Sequence, residues 1–131
     1  MSSGSDWTRH ALEAAWRRHD ALHGPIIDAK VEVNVITDHL AELRDELEEI
    51  KANLSLARIP GRISGWYGAV PVSVYIALLE QQKAMVERQI AVKDRELSGA
   101  KEKLEQLEHK QQNHYMNAIE YDRRYKECMG E

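Results

Sequence analysis

Two heptad ladders on either side of one Gly/Pro/Trp-rich segment constrain this chain more than any other feature. The first ladder places Leu12, His19, Ile26, Val33, Leu40, Leu47 and Leu54 on one rail. Ala15, Leu22, Ala29, Ile36, Leu43, Ile50 and Ala57 form its other rail. The second runs Ile76, Lys83, Ile90, Leu97, Leu104, Gln111, Ala118 and Tyr125 beside Val72, Leu79, Val86, Lys93, Ala100, Leu107, His114 and Tyr121. A seven-residue repeat sustained this long keeps one narrow apolar seam pointed at a partner helix. The expected fold is therefore all-α, a long antiparallel two-helix coiled-coil hairpin. An assembly two helices wide has no floor for a catalytic pocket. No enzymatic activity is expected, and a mechanical or adhesive role is.

The boundaries follow from local chemistry. Residues 1–5 read as a disordered polar tail and 6–131 as a single hairpin, with helix 6–57, turn 58–70 and helix 71–127. Ser5 and Asp6 offer an N-cap and an acidic first turn. Gly24-Pro25 interrupts the first helix, because proline lacks a backbone donor and clashes with the preceding turn. Leu22, Ile26 and Ala29 keep the heptad phase across it, so the spacing predicts a bent helix near Gly24-Pro25 instead of two independent ones. The helix must stop before Pro60-Gly61, and Pro71 suits the first position of the next helix. With the turn centred near residue 64, facing positions sum to about 129. The second helix extends about 85 Å at 1.5 Å per residue, with Gly99 as its one internal weak point.

Composition narrows the partners. Charged residues make up 31% of the 131 and hydrophobic residues 43%, with no phenylalanine, a balance suited to a few-stranded helical assembly. A hairpin this thin buries little area per residue, so its stability alone is modest. The net charge of −4 disfavours nucleic acid, which needs a concentrated basic stripe. The most apolar stretch, 69–79, is far short of the roughly 20 residues of a membrane span, so no membrane insertion is expected. A single Cys128 without an intramolecular partner points to a reducing, cytoplasmic setting.

Several residues stand out against that background. Lys83, Lys93, Gln111, His19 and His114 occupy seam positions, where polar groups fix register at a cost in stability or mark a stretch that contacts a third element. His19 and His23 lie one turn apart, and the expected pairing sets His109 opposite His19 with His114 nearby. No motif forces a cysteine or carboxylate into that geometry, so no metal site and no cofactor are expected. Around the turn, Arg58, Arg62, Trp66 and Tyr67 are residue types enriched at binding hot spots. The alternative is that an aromatic folds back onto Ile59, Ile63 or Val70 to close the hairpin end. At the opposite end, Arg9, Arg17 and Arg18 should neighbour Arg123, Arg124 and Lys126, a basic end suited to an acidic ring or groove; a merely solvated face is the alternative. Ser-His-Asp and Cys-His arrangements, a phosphate-binding glycine loop and HExxH are all missing.

Along the second helix, Val74-Tyr75-Ile76-Ala77-Leu78-Leu79-Glu80-Gln81-Gln82, then Val86-Glu87-Arg88-Gln89-Ile90, and on through Leu104, Leu107 and Gln111 to Tyr121-Asp122-Arg123-Arg124, the chain is similar to the FliJ/YscO family. These are cytosolic stalk proteins of flagellar and virulence type III secretion. The resemblance covers 50 to 60 residues, and the long-helix, turn, longer-helix order fits the rest. It implies a protein-transport role for a coiled coil whose termini enter the hexameric export ATPase, with Arg123 and Arg124 as ring contacts. It also implies contacts to the export gate protein and to secretion chaperones, and a place at the cytoplasmic base of the apparatus. Two other readings remain open: a secreted WXG100-like helical hairpin, for which Trp66-Tyr67-Gly68 supplies the Trp-x-Gly turn, and a generic coiled-coil chaperone or scaffold.

Overall fold

The computed structural model describes residues 3–59, 66–67 and 70–130, with side chains for 7–59 and 71–130. The protein is all-α, a helical hairpin of a bent first arm and a longer second one. Helix α1 spans Ser3–Ala21, α2 His23–Ala57 and α3 Val72–Cys128. Two short strands stand between α2 and α3: β1, Trp66–Tyr67, pairs antiparallel with β2, Val70–Pro71, placing Trp66 opposite Pro71 and Tyr67 opposite Val70.

The heptad reading of the seam is visible residue by residue. Between Ile26 and Ala57 all the rail positions are buried or half-buried, and Asn53 is the single other position that is not exposed. Along α3 the rails are likewise buried or half-buried, joined by Tyr75, Glu80, Glu120 and Asp122.

The chain divides into two compact units. One combines Met1–Val33 with Gly99–Glu131, so α1, the start of α2 and the end of α3 share it. Its buried apolar residues are mostly alanine (Ala15, Ala29, Ala100, Ala118) with Ile26. Such small side chains bury little area each, so this seam gains less from burial per heptad. The other unit is Asn34–Ser98. There Ile50, Leu54, Leu79 and Val86 form a cluster, with Leu43, Leu47, Tyr75, Ile76 and Ile90 packed against it. Leu40, at 1% exposure, is the largest fully buried side chain.

The bend sits where proline physics requires it, a turn ahead of the proline itself. Pro25 cannot donate to the Ala21 carbonyl, and its ring crowds that group. Helix α1 accordingly ends at Ala21 and α2 resumes at His23. Leu22 N donates to His19 O at 3.3 Å, an i→i−3 bond of the tighter type found at helix ends, and Ile26 N returns to the α pattern on Leu22 O at 3.0 Å.

Three expectations shift. Helix α1 begins at Ser3, so Ser5 and Asp6 lie within its first turn and residues 3–5 are helical, not a disordered tail; nothing in that stretch breaks a helix except Gly4, at a modest propensity cost. Pro71 belongs to β2 and α3 starts one residue later. The β1–β2 pairing sets Tyr67 opposite Val70, which moves the centre of the pairing there beyond the expected residue 64. Facing residues in the Asn34–Ser98 unit move accordingly, and Arg44 meets Asp94 at 3.3 Å instead of the neighbourhood of Met85, whereas His19 meets Gln111, close to the expected pairing.

Candidate interaction surfaces

At the end where the termini meet, the Thr8 hydroxyl and the Cys128 thiol approach to 3.8 Å. The proposed basic residues sit on both helices there, in different states. Arg9, Arg17 and Arg18 of α1 are exposed, and among the described residues none of the three forms an ion pair; Arg17 Nε donates to the Glu13 carbonyl at 3.4 Å. The arginines of α3 are engaged within their own helix. Arg123 holds Glu120 at 2.6 Å and Glu127 at 2.7 Å, Arg124 reaches Glu120 at 3.2 Å, and Lys126 reaches Asp122 at 3.3 Å. The Arg124 guanidinium also lies 5.6 Å from the Tyr121 ring centroid.

That spacing follows from the sequence, since residues three and four apart share a helix face. The Arg123 hydrogen bond, with added attraction from both arginines, holds the Glu120 carboxyl below its ordinary value of 4.5, although partial burial opposes the shift. The same contacts raise Arg123. The α3 side of this end is therefore a carboxylate–guanidinium network, and among the described residues the cations without an ion pair here belong to α1.

Further along the same unit, Trp16, His19 and Tyr115 form an aromatic group. Trp16 meets His19 edge-on at 5.5 Å and Tyr115 at 6.0 Å, and His19 lies 5.8 Å from Tyr115. Gln111 Nε2 donates to the His19 carbonyl at 3.4 Å. Gln111 thus has a structural reason to sit on the seam: it serves the carbonyl beside the break that Pro25 imposes.

The histidines do not assemble as the even pairing suggested. His109 is exposed and lines a shallow hollow with Glu102, Glu105 and Gln106, while Gln111 and Tyr115 are what face His19. Among the described residues, no group of three or more His, Cys, Asp or Glu is placed to hold a metal ion. The seam lysines snorkel, as amphipathic side chains do: Lys83 extends to Glu87 at 4.0 Å and Lys93 to Glu96 at 3.0 Å.

At the turn, Arg58 pairs with Glu80 across the two arms. This cross-link ties the residue just after α2 to the third turn of α3. Arg62 lies outside the described residues, and so do the side chains of Trp66 and Tyr67, whose backbones form β1.

A surface that the seam reading passes over lies in the Asn34–Ser98 unit. Two neighbouring hollows run along the groove between α2 and α3, sharing Glu46 and Gln89 in their walls. Its signal in the sequence is a third heptad row on α3: Leu78, Met85 and Val92, seven residues apart and 48%, 49% and 45% exposed.

Comparison with family models, with curated proteins and with solved structures finds no match for this chain. No helix among the described residues is long and apolar enough to cross a membrane.

Proposed function

We propose that this hairpin is a non-catalytic coupling element, the central-stalk or adaptor component of a type III secretion export apparatus. In this reading its terminal end docks into the hexameric export ATPase, and its remaining surface links the ring to the export gate protein and to secretion chaperones in the cytoplasm. The observation that carries the proposal is the pairing of the two terminal segments at one end, with exposed arginines on α1 beside α3. An end built this way presents cationic side chains on paired helices, which suits a pore lined by carboxylates. The resemblance along residues 74–124 supplies the identity of the ring.

The geometry ranks the arginines. Arg9, Arg17 and Arg18 are available to a partner directly. Arg123 and Arg124 must first exchange Glu120 and Glu127 for new acceptors, which cancels part of any gain. The test is ATP hydrolysis by the cognate export ATPase, titrated with this protein where the ring is partly assembled. A saturable rise in rate, lost in Arg9→Glu/Arg18→Glu and reduced less in Arg123→Glu/Arg124→Glu, is the expected result. A flat titration with folded protein would remove the stalk reading.

A further inference from the structure

We propose that the groove between α2 and α3 in the Asn34–Ser98 unit is the docking site for an amphipathic helix of a partner protein, apolar on the inserted face and lysine- or arginine-rich on the flank that meets α2. This goes beyond the stalk reading and does not depend on it, since the groove shares no residue with the terminal end.

The floor of the groove is apolar and already part of the seam. Ile50, Leu79 and Val86 line one hollow and Leu43 the next. Each hollow encloses ≈ 340 Å³, at the low end of small-molecule pockets (about 300–1,000 Å³). Both are open to solvent, which favours side chains projected from a helix over an enclosed ligand. The α3 wall adds Met85, and the heptad row places Leu78 and Val92 one step to either side of it. Methionine there is a deformable apolar surface suited to receiving another side chain. A row of exposed apolar residues repeating every seven matches a helix laid alongside, because that repeat keeps a seam facing its partner.

The α2 wall supplies the charge. Glu42, Glu46 and Glu49, spaced i, i+4, i+7, stand on one face of α2 at the groove edge. Among the described residues none of them forms an ion pair, although the neighbouring Glu48 takes Lys51 at 3.5 Å and Arg44 is committed to Asp94. Like charges one helical turn apart repel, so this ridge gains when cations meet it. The lone cation in the walls, Lys93, is already on Glu96.

The same charge pattern selects against a second copy of this chain. A twofold pair of hairpins joined through this groove sets α2 either on its own copy or on α3. The first arrangement faces the Glu42–Glu46–Glu49 ridge with itself. The second buries carboxylates against Leu78, Met85 and Val92, which is costly without partners. A basic-flanked helix from another protein satisfies both walls together.

The test uses three synthetic three-heptad peptides and the full-length protein. One carries leucine on the a and d positions with lysine along one flank. The second is identical except for glutamate on that flank, and the third has the first peptide's composition in scrambled order. Binding is read by fluorescence anisotropy at low and physiological salt, and by backbone amide shifts. The lysine-flanked peptide alone should bind, with shifts confined to residues 39–53 and 78–93. Its dissociation constant should rise at least tenfold in Glu42→Lys/Glu46→Lys/Glu49→Lys and at least fivefold in Met85→Gln. All four positions are solvent-accessible, so circular dichroism should show both variants folded. Equal binding of the lysine-flanked and scrambled peptides, or an unchanged constant in both variants, would overturn the proposal. A concentration-dependent dimer by sedimentation that Met85→Gln dissolves would also overturn it, assigning the groove to a second copy.

Discussion

Leu40→Ala is the sharpest test of the seam, because Leu40 is the most completely buried large side chain and sits on the predicted rail. The substitution removes three carbon centres from an apolar contact. At about 0.8 kcal/mol per buried methylene, the transfer loss is about 2.4 kcal/mol. A cavity contribution normally adds to this, giving about 2–5 kcal/mol for such changes. A seam between two helices has solvent close on both flanks and collapses more readily than a globular core, so the lower part of that range applies, about 2.5 kcal/mol. Unfolding entropy near 2.1 cal/mol/K per residue over 131 residues is about 0.28 kcal/mol/K, which converts the loss to a fall in Tm of about 9 °C. The control is Val35→Ala, one turn away and 46% exposed. It should shift Tm by less than about 2 °C, since exposed substitutions stay within about 0.5 kcal/mol and alanine is the better helix former. Thermal melts followed by far-UV circular dichroism measure both. Equal shifts in the two variants, or no shift in Leu40→Ala, would refute the assignment of Leu40 to the buried seam.

Gly99→Ala should raise stability by about 1 kcal/mol, because a Cβ at that helical position meets nothing within 4 Å; a urea midpoint that falls would show an unrecognised close approach. Thr8→Cys should form an intramolecular disulfide with Cys128, given the 3.8 Å approach of the native side chains across 120 positions. The oxidised form should melt higher by an amount equivalent to about 2–4 kcal/mol, and an exclusively intermolecular disulfide would contradict the antiparallel pairing. Glu120 titrates below its ordinary 4.5 in the folded state because Arg123 holds the carboxylate. A depressed folded value means its contribution is complete above about pH 4.5 and is lost as the pH falls through the folded value. The side-chain carboxyl resonance should therefore show a midpoint below 4.5 that returns upward in Arg123→Ala, with high salt weakening the effect at this exposed site.

Most of the fold is legible in the sequence because the heptad is a long, redundant signal. Local detail can vary without moving Leu40 or Ile50 off its rail, because a repeat sustained from Ile26 to Ala57 averages over local exceptions. What the repeat carries poorly is register between the arms, because a slip of one heptad keeps every rail residue on the seam. The β1–β2 pairing and the Arg58–Glu80 and Arg44–Asp94 contacts decide it, and none of these is periodic. Gln111 illustrates a second limit. On the rail it reads as a polar exception, yet its partner is the backbone carbonyl of His19, beside the helix break ahead of Pro25. Backbone groups have no letter in the sequence, so that pairing is invisible until the bend is placed. The network of Glu120, Arg123 and Glu127 is readable from its i, i+3 and i, i+4 spacing.

The two units spend their sequence differently, and this bears on which part can yield to a partner. In the Asn34–Ser98 unit, leucine, isoleucine and valine fill the seam and the same stretch carries the groove, so a docking helix would meet a support held by large buried side chains. In the other unit the buried apolar positions are mostly alanine, interrupted by His19, Gln111 and His114 on the rails. Alanine contributes little burial, and local opening costs least where buried apolar area is smallest. Amide exchange should therefore be slowest around Leu40, Leu54 and Val86 and faster around Ala15 and Ala118. A terminal end that loosens at low cost can rearrange Arg123 and Arg124 from Glu120 onto an incoming surface without disturbing the groove. If both proposals hold, one chain would bind through two kinds of chemistry, guanidinium at its terminal end and carboxylate with methyl groups along its groove.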